Sequence, residues 1–264
     1  MAQLPILYVL VGQHGGPQYS PTVFKSLLSF YHKKADFEIK ELVWTELRAK
    51  KEAWKTERPT LPTLELPDGK IISDSNNIAD WLEEKYPDSS SLFVPEVSSA
   101  KAASSGLQTA KSYLNYVTLT FGSPAVTGSH FPPFFAAIHE GICDLSKAEE
   151  DREYFRSDTK LGMKDAWSKI QKTNRDESIQ SAKGYVKSLE GVFKSSAFLQ
   201  GEDPGLVDYT VWGRYAFQRV ADPSAAKQIW KSQDTPNVAK WIERIESKYA
   251  EEMKDQKSRW PAEE

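Results

Sequence analysis

The chain has 264 residues, of which 39% are hydrophobic and 27% charged, and these proportions are typical of a soluble globular protein. A formal net charge of -3 argues against nucleic acid as the main partner, and the lack of an apolar run of about 18 residues argues against a membrane span. The single cysteine, Cys143, excludes an internal disulfide and, with an N-terminus that lacks the features of a secretory signal, favours a cytoplasmic location.

Strands and helices alternate through the first part of the chain. The β-rich run LPILYVLVG predicts a first strand, and SPTVFKSLLSFYHKK then carries apolar residues at helical spacing. Alternation in DFEIKELVW predicts a second strand, and the charged segment TELRAKKEAWK predicts a weaker, exposed helix. Because a helix joins the first two strands, we expect them to be parallel.

A hairpin and a third helix complete this part. The short strands TLEL and KIIS flank Pro67-Asp68-Gly69, where proline presets φ and glycine accepts a positive φ. Asp74-Ser75 can then cap a helix that stops at Pro87. The resulting order is β-α-β-α-β-β-α, and its last two strands are antiparallel.

The composition changes after Pro87. The Ser- and Pro-rich stretch PDSSSLFVPEVSSAKAASSG predicts a linker, and the segments that follow show helical spacing without a Gly- or Pro-bounded β run. We therefore predict a thioredoxin-like domain over residues 1–87, a linker over 88–99 and an all-α domain over 100–264.

This fold class, an α+β protein with a thioredoxin-like N-terminal domain and an all-α C-terminal domain, resembles the soluble glutathione transferases. The segments SPTVFK, TLPTLELPDGKIISDSNNIADWLEEKYP and REYFRSDTKLGM are similar to a serine-type, fungal-specific class A of that family, related to bacterial lignin β-etherases. The resemblance implies that the first domain binds glutathione as a co-substrate and that the helical domain forms a hydrophobic co-substrate site. It also implies a homodimer. No metal is expected, because the four histidines (His14, His32, His130 and His139) show no pair at metal-ligand spacing.

Three positions match the residues with which the family holds glutathione. The proline of Leu61-Pro62 is cis in the family, which would turn the backbone of Leu61 toward the cysteinyl backbone of glutathione. The alternative is a trans proline that starts an edge strand. Ser75, at a helix N-terminus, suits the α-carboxylate of the γ-glutamyl group, and Asp74 suits its α-ammonium; simple helix capping is the alternative.

Ser20 is the candidate catalytic residue, because the resemblance places its hydroxyl near the sulfur of glutathione. Lowering a thiol pKa from about 8.5 to about 6.5 needs about 2.7 kcal/mol. A hydrogen bond to a charged acceptor supplies about 1.5–3 kcal/mol and the helix end about 0.3–1. As an N-cap, Ser20 would instead accept from a backbone N–H, and one hydroxyl can do both. Tyr19 is the nearest rival donor and Tyr8 a weaker one.

Several other features admit a functional and a structural interpretation. Arg48, Lys50 and Lys51 either meet the glycyl carboxylate of glutathione or form a solvated helix face. The run FGSPAVTGSHFPPFF is either an aromatic pocket for a flat co-substrate or ordinary core.

Two further features are interpreted as structural. Cys143, which has no C-x-x-C partner, is a buried thiol. Gly205 and Asp208 match an N-capping motif of the family that normally has Ser or Thr at the cap.

These features predict a glutathione transferase that directs the glutathione thiolate to a hydrophobic electrophile or a peroxide. The predicted electrophile is an aromatic or lignin-derived compound. Conjugation, peroxidase activity and ether cleavage all remain open. The alternative is a ligandin-type carrier of aromatic compounds with weak or no catalysis, which the eight Trp, eleven Tyr and twelve Phe residues favour. A third possibility is a fold kept for protein interaction alone.

Overall fold

A computed structural model describes residues 3–93 and 133–263 of the chain. The later half of the predicted linker and the first part of the predicted all-α domain, up to residue 132, lie outside the described residues. The division of the chain into domains at residues 87 and 99 therefore stays a prediction.

A four-stranded mixed sheet forms the centre of the N-terminal part. Its strands are β1 (Ile6–Leu10), β2 (Glu38–Leu42), β3 (Thr63–Glu65) and β4 (Ile71–Ser73), in the order β2-β1-β3-β4. Strand β1 is parallel to β2 and antiparallel to β3, which is antiparallel to β4. The predicted parallel pair and the predicted hairpin are both confirmed.

Three helices flank this sheet: α1 (Pro21–His32), α2 (Trp44–Ala49) and α3 (Ser75–Lys85). Helix α1 carries a nearly continuous buried face that includes Phe24, Leu27 and Leu28. The helix predicted over TELRAKKEAWK is much shorter than expected. Only Trp44 and Leu47 of α2 are buried, so few apolar contacts are available to extend it.

The rest of the described chain is helical, as predicted. Its elements are α4 (Pro133–Ala136), α5 (His139–Leu145), α6 (Glu149–Arg156), α7 (Asp158–Leu161), α8 (Ala166–Ile170), α9 (Arg175–Glu190), a 3₁₀ turn (Val192–Lys194), α10 (Leu206–Ala221), α11 (Pro223–Trp230), α12 (Pro236–Lys248) and α13 (Lys254–Ser258). In residues 3–93 and 133–263, no helix is both long and apolar enough to span a bilayer. The arrangement confirms the predicted α+β fold class.

Helix α10 packs directly against α1. Trp212 is fully buried, and its ring meets Phe24 edge-on at 5.7 Å between centroids. A Cβ atom on Gly213 would overlap the carbonyl oxygen of Pro21, so the two backbones approach as closely as glycine allows. The first turn of α1 is thereby fixed against the helical part of the molecule.

The start of α10 is held by Asp208, whose carboxylate accepts from the N–H groups of Leu199 (2.8 Å) and Gly205 (3.2 Å) and from Trp241 Nε1 (2.8 Å). Burial raises the pKa of Asp208 to about 6, although these hydrogen bonds favour its charged form. The cap oxygen that Gly205 lacks comes from Gln200, whose Oε1 accepts from the N–H of Val207 at 2.8 Å.

Candidate functional site

Ser20 lies at the amino end of α1 with an extended backbone (φ -68°, ψ 125°) and is 8% exposed. Its hydroxyl makes no capping hydrogen bond to the helix backbone. The Oγ atom instead lies 3.1 Å from Thr22 Oγ1, and the Ser20 N–H donates to Gln18 Oε1. The predicted cap is therefore not formed by the Ser20 side chain.

Thr22 links this helix end to the loop before β3. Its Oγ1 donates to the carbonyl oxygen of Leu61 at 3.2 Å. Because a hydroxyl has one proton to donate, the contact between Ser20 and Thr22 must use the proton of Ser20. The two side chains thus form a directed chain from Ser20 through Thr22 to Leu61.

The peptide bond between Leu61 and Pro62 is cis, as the resemblance implies. Pairing of β3 begins at Thr63, so the backbone of Leu61 lies just outside the sheet ladder. Within the described part of the chain, the Leu61 N–H donates to no protein acceptor, whereas its carbonyl is bonded to Thr22. The N–H is available to a ligand, and the carbonyl keeps one lone pair for a second donor.

Asp74 and Ser75 begin α3 next to this loop. Asp74 is the N-cap: its Oδ1 accepts from the N–H of Asn76 at 2.7 Å. Its φ of 78° is in the left-handed region, which is costly for a residue with a Cβ and recurs at ligand-binding positions. Ser75 is the first helical residue and is buried. The capping interpretation holds for Asp74, and a ligand role for both residues stays a prediction.

Tyr19 and Tyr8, the two alternative hydroxyl donors, lie in environments different from that of Ser20. Tyr19 is 2% exposed, and its hydroxyl lies beside the side chains of Trp44 and Ser146, where burial raises its pKa. Tyr8 donates to Glu65 at 2.6 Å, and its pKa is raised to about 12, chiefly by burial. Tyr8 already donates its proton to Glu65, and the Tyr19 hydroxyl is buried beside Trp44 and Ser146, so Ser20 at the amino end of α1 remains the candidate donor.

The basic residues of α2 and the turn after it have protein partners. Arg48 Nη2 donates to Glu150 at 2.6 Å, and its guanidinium lies 4.3 Å from the centroid of the Tyr154 ring. Lys51 forms an exposed ion pair with Glu57 at 2.5 Å. These contacts favour the interpretation as a solvated face over a site for the glycyl carboxylate.

Phe134 and Phe135, the described members of the Phe-rich run, pack among other rings. Phe134 is 4% exposed and contacts the rings of Tyr185 and Trp230, whereas Phe135 contacts Phe155. Residues 121–132 of that run lie outside the described residues.

Cys143 is buried and accepts a hydrogen bond from Arg156 Nε at 3.2 Å; burial raises its pKa, which is unlike a reactive thiol.

Sequence reasoning missed Thr22 and Gln18. A hydroxyl two residues after the N-cap was the available signal for Thr22, but its partner Leu61 is 39 residues away in the chain. Gln18 is fully buried, and nothing in its sequence context distinguishes it from a loop residue.

Two family models match the chain. The model of the glutathione S-transferase N-terminal domain matches residues 19–85, and that of the C-terminal domain matches residues 135–248. No curated protein sequence matches.

Several solved structures share the fold at low sequence identity. A glutathione transferase from Phanerochaete chrysosporium has a TM-score of 0.68 at 16% identity, with 93% of this chain and 97% of that chain covered. A glutathione S-transferase from Ceriporiopsis subvermispora, solved in complex with glutathione, has a TM-score of 0.64 at 18% identity, with 95% and 99% covered. A Tau class enzyme from mango, Mangifera indica, has a TM-score of 0.58 at 16% identity, with 99% and 94% covered.

The fold agrees with these comparisons. Together the two family models cover more than half of the chain, so the chain belongs to the glutathione S-transferase family.

Proposed function

We propose that the chain is a serine-type glutathione transferase in which the Ser20 hydroxyl stabilises the thiolate of glutathione. The observation that carries this proposal is the position of that hydroxyl: it is at the amino end of α1, it is not used as a cap, and it is joined through Thr22 to Leu61. The glutathione-bound structure from Ceriporiopsis subvermispora, which shares the fold, supports glutathione as the ligand.

The tripeptide is proposed to bind along the edge formed by the loop before β3 and the start of α3. The unpartnered N–H of Leu61 donates to the cysteinyl carbonyl, as in the addition of a strand to a sheet edge. The hydroxyl and the N–H of Ser75, at the amino end of α3, donate to the α-carboxylate, and Asp74 pairs with the α-ammonium.

Thiolate formation requires the Ser20 proton to turn from Thr22 to the sulfur. Thr22 keeps its bond to Leu61 during this change, so only one hydroxyl rotates. The new hydrogen bond to a charged acceptor is worth about 1.5–3 kcal/mol and the α1 end about 0.3–1, which together match the cost of lowering the thiol pKa by about two units. With the thiol pKa near 6.5, the thiol proton passes to solvent water at neutral pH, so no general base in the protein is needed.

The helical part of the chain is proposed to present a hydrophobic electrophile or a peroxide to this thiolate. A fungal class A enzyme related to lignin β-etherases would act on aromatic or lignin-derived compounds, by conjugation, peroxide reduction or ether cleavage in detoxification. We further propose a cytoplasmic homodimer, with the glutathione site in residues 1–87 and the co-substrate site in residues 100–264.

The test replaces Ser20 by Ala and uses Ser26→Ala as the matched control, because Ser26 is a buried serine of the same helix. We expect the S20A variant to lose about tenfold to a hundredfold in turnover with an aromatic electrophile, from the lost hydrogen bond. The pKa of bound glutathione, measured by the ultraviolet absorbance of its thiolate, should rise in S20A and stay unchanged in S26A.

Unchanged turnover and thiol pKa in S20A would contradict the role of Ser20. Tight binding of aromatic dyes by a wild-type protein that has no turnover with any of the three co-substrate types would instead support the ligandin-type carrier.

A further inference from the structure

Two buried lysines, Lys25 in α1 and Lys33 directly after it, contact opposite ends of α3. Lys33, 2% exposed, reaches the carboxyl end, where its Nζ donates to the carbonyl of Tyr86 (3.3 Å) and pairs with Glu83 (3.1 Å). Lys25, 5% exposed, reaches the amino end, where its Nζ donates to Asn76 Oδ1 at 2.8 Å. Lys33 thus has a backbone carbonyl and a carboxylate as partners, whereas Lys25 has a side-chain amide oxygen.

A cation is favourable at the carboxyl end of a helix and unfavourable at the amino end, where the backbone N–H groups already carry positive partial charge. Lys33 therefore has the arrangement expected of a structural lysine. Lys25 does not, since its direct acceptor is a neutral amide oxygen at the positive end of α3.

The charged groups around Lys25 offset the cost of burying its ammonium only in part. Burial lowers the pKa of its ammonium to about 8; Asp74 and Asp80 on α3 oppose this shift, and Arg214 on α10 adds to it. An ammonium held against burial, the helix dipole and a second cation is a group that an additional anion would stabilise.

We propose that Lys25 is a positioning residue of the glutathione site, which holds the first turn of α3 against α1 through Asn76 and adds positive charge where the α-carboxylate of glutathione binds. This inference rests on the proposed function. It connects the two helix ends of the site: α1 carries Ser20 at its start, and α3 carries Ser75 at its start. Thr22 and Lys25 are then two separate ties from α1 to the glutathione-binding segments.

The test compares Lys25→Met with Lys33→Met by calorimetric titration of S-methylglutathione, a ligand with the α-carboxylate but no ionisable thiol. We expect K25M to bind about tenfold more weakly than the wild type near neutral pH, the loss of one charge-assisted contact. K33M should be less stable but should bind like the wild type, because its contact lies at the other end of α3.

The pH profile separates a charge effect from a structural one. Above pH 8 the wild-type Lys25 loses its proton, so the affinity ratio of wild type to K25M should fall toward one. Titration of the ligand's own amine is common to all proteins and cancels in this ratio. Steady-state measurements should show a raised KM for glutathione with little change in kcat, unlike the variant at Ser20.

Asn76→Ala is the second variant and removes the exposed acceptor without opening a buried space. It should weaken binding in the same pH-dependent way as K25M, and it decides the question if K25M does not fold. A constant affinity ratio across the pH range, or equal losses in K25M and K33M, would overturn the role of Lys25 while the proposed function stands. Failure of the wild type to bind glutathione would overturn both.

Discussion

The hydroxyls of Ser20 and Thr22 occupy the same end of α1, and each has a different partner. The pattern Ser-Pro before an apolar helix was enough to identify Ser20 as a residue at a helix start. It also predicted a side-chain cap, which the structure does not contain, because the hydroxyl turns to Thr22. A hydrogen bond that depends on where Leu61 lies in space is not encoded in local sequence.

Thr22→Val is expected to remove both ends of this chain of hydroxyls. The carbonyl of Leu61 loses its side-chain donor and the Ser20 hydroxyl loses its acceptor, so the ligand-free site is less ordered. We expect kcat/KM for glutathione to fall about tenfold and the free energy of unfolding by about 1 kcal/mol. Steady-state kinetics and urea denaturation measure the two effects.

Thr22→Ser is the control, since it keeps the hydroxyl and removes only the methyl group. Full activity in T22S together with reduced activity in T22V would assign the effect to the hydrogen bonds. Equal losses in the two variants would assign it to packing of the methyl group and contradict the prediction.

At the scale of single elements, α10 shows both what sequence predicts and what it leaves open. The apolar segment GLVDYTVWGRYAFQRV lies in the part of the chain predicted to be all-α, and Asp208 was matched to an N-capping motif at its start. The absence of a Ser or Thr at position 205 suggested a weaker start. Gln200 fills that gap, and a Cβ on residue 205 would collide with its side chain. This replacement of the missing cap oxygen by Gln200 depends on how the loop before α10 folds, which the local sequence does not reveal.

The contact of α10 with α1 makes Gly213 a second test at this scale. In Gly213→Ala the new methyl group meets the backbone carbonyl of Pro21, which cannot rotate away, so the two helices must separate. We expect a loss of about 1–3 kcal/mol in the free energy of unfolding, as for other overpacked cores. Because Pro21 follows Ser20, glutathione turnover should fall as well.

Gly184→Ala is the matched control, a glycine in the interior of α9 with open space around it. Here the substitution should raise stability by about 0.5–1 kcal/mol, because alanine has the higher helix propensity. A G213A variant that behaves like G184A in denaturant unfolding would show that the helices are less tightly packed than described.

At the scale of the whole molecule, alternation of strands and helices in the sequence predicted the sheet, its parallel and antiparallel pairs and the change to helices in the later part. Hydrophobic periodicity depends only on neighbouring residues, and it was enough to predict the order of strands and helices along this chain. Long-range pairs could not be predicted in this way. His32, for example, reads as the last residue of an amphipathic helix, yet it joins α1 to α10.

His32 makes the stability of the molecule sensitive to acid. Its Nε2 lies 3.1 Å from the carbonyl of Ser90, so this nitrogen carries the proton and Nδ1 accepts from Tyr209 at 2.7 Å. Burial lowers its pKa to about 4, below the ordinary value of 6.5. The unfolded chain then binds a proton that the folded one does not between these two pH values, so stability falls as pH falls from 6.5 to 4.

The expected loss is up to about 3 kcal/mol, measured as the midpoint of denaturant unfolding across this pH range. His32→Gln should be less stable near neutral pH but should show a flatter dependence on acid. His14→Gln is the control, because His14 is exposed and its pKa is raised by a hydrogen bond to Glu46. A pH dependence that survives in H32Q would mean that other groups cause it.

The near-contact of Gly213 with Pro21 also limits how an enzyme of this design can change its substrates. A displacement of α10 toward α1 would press on Pro21 and shift the adjacent Ser20, the proposed hydrogen-bond donor to the thiolate. In the proposed enzyme, changes that admit a larger electrophile are therefore expected in segments that do not contact this junction, because the backbones of α1 and α10 have no room to approach each other further.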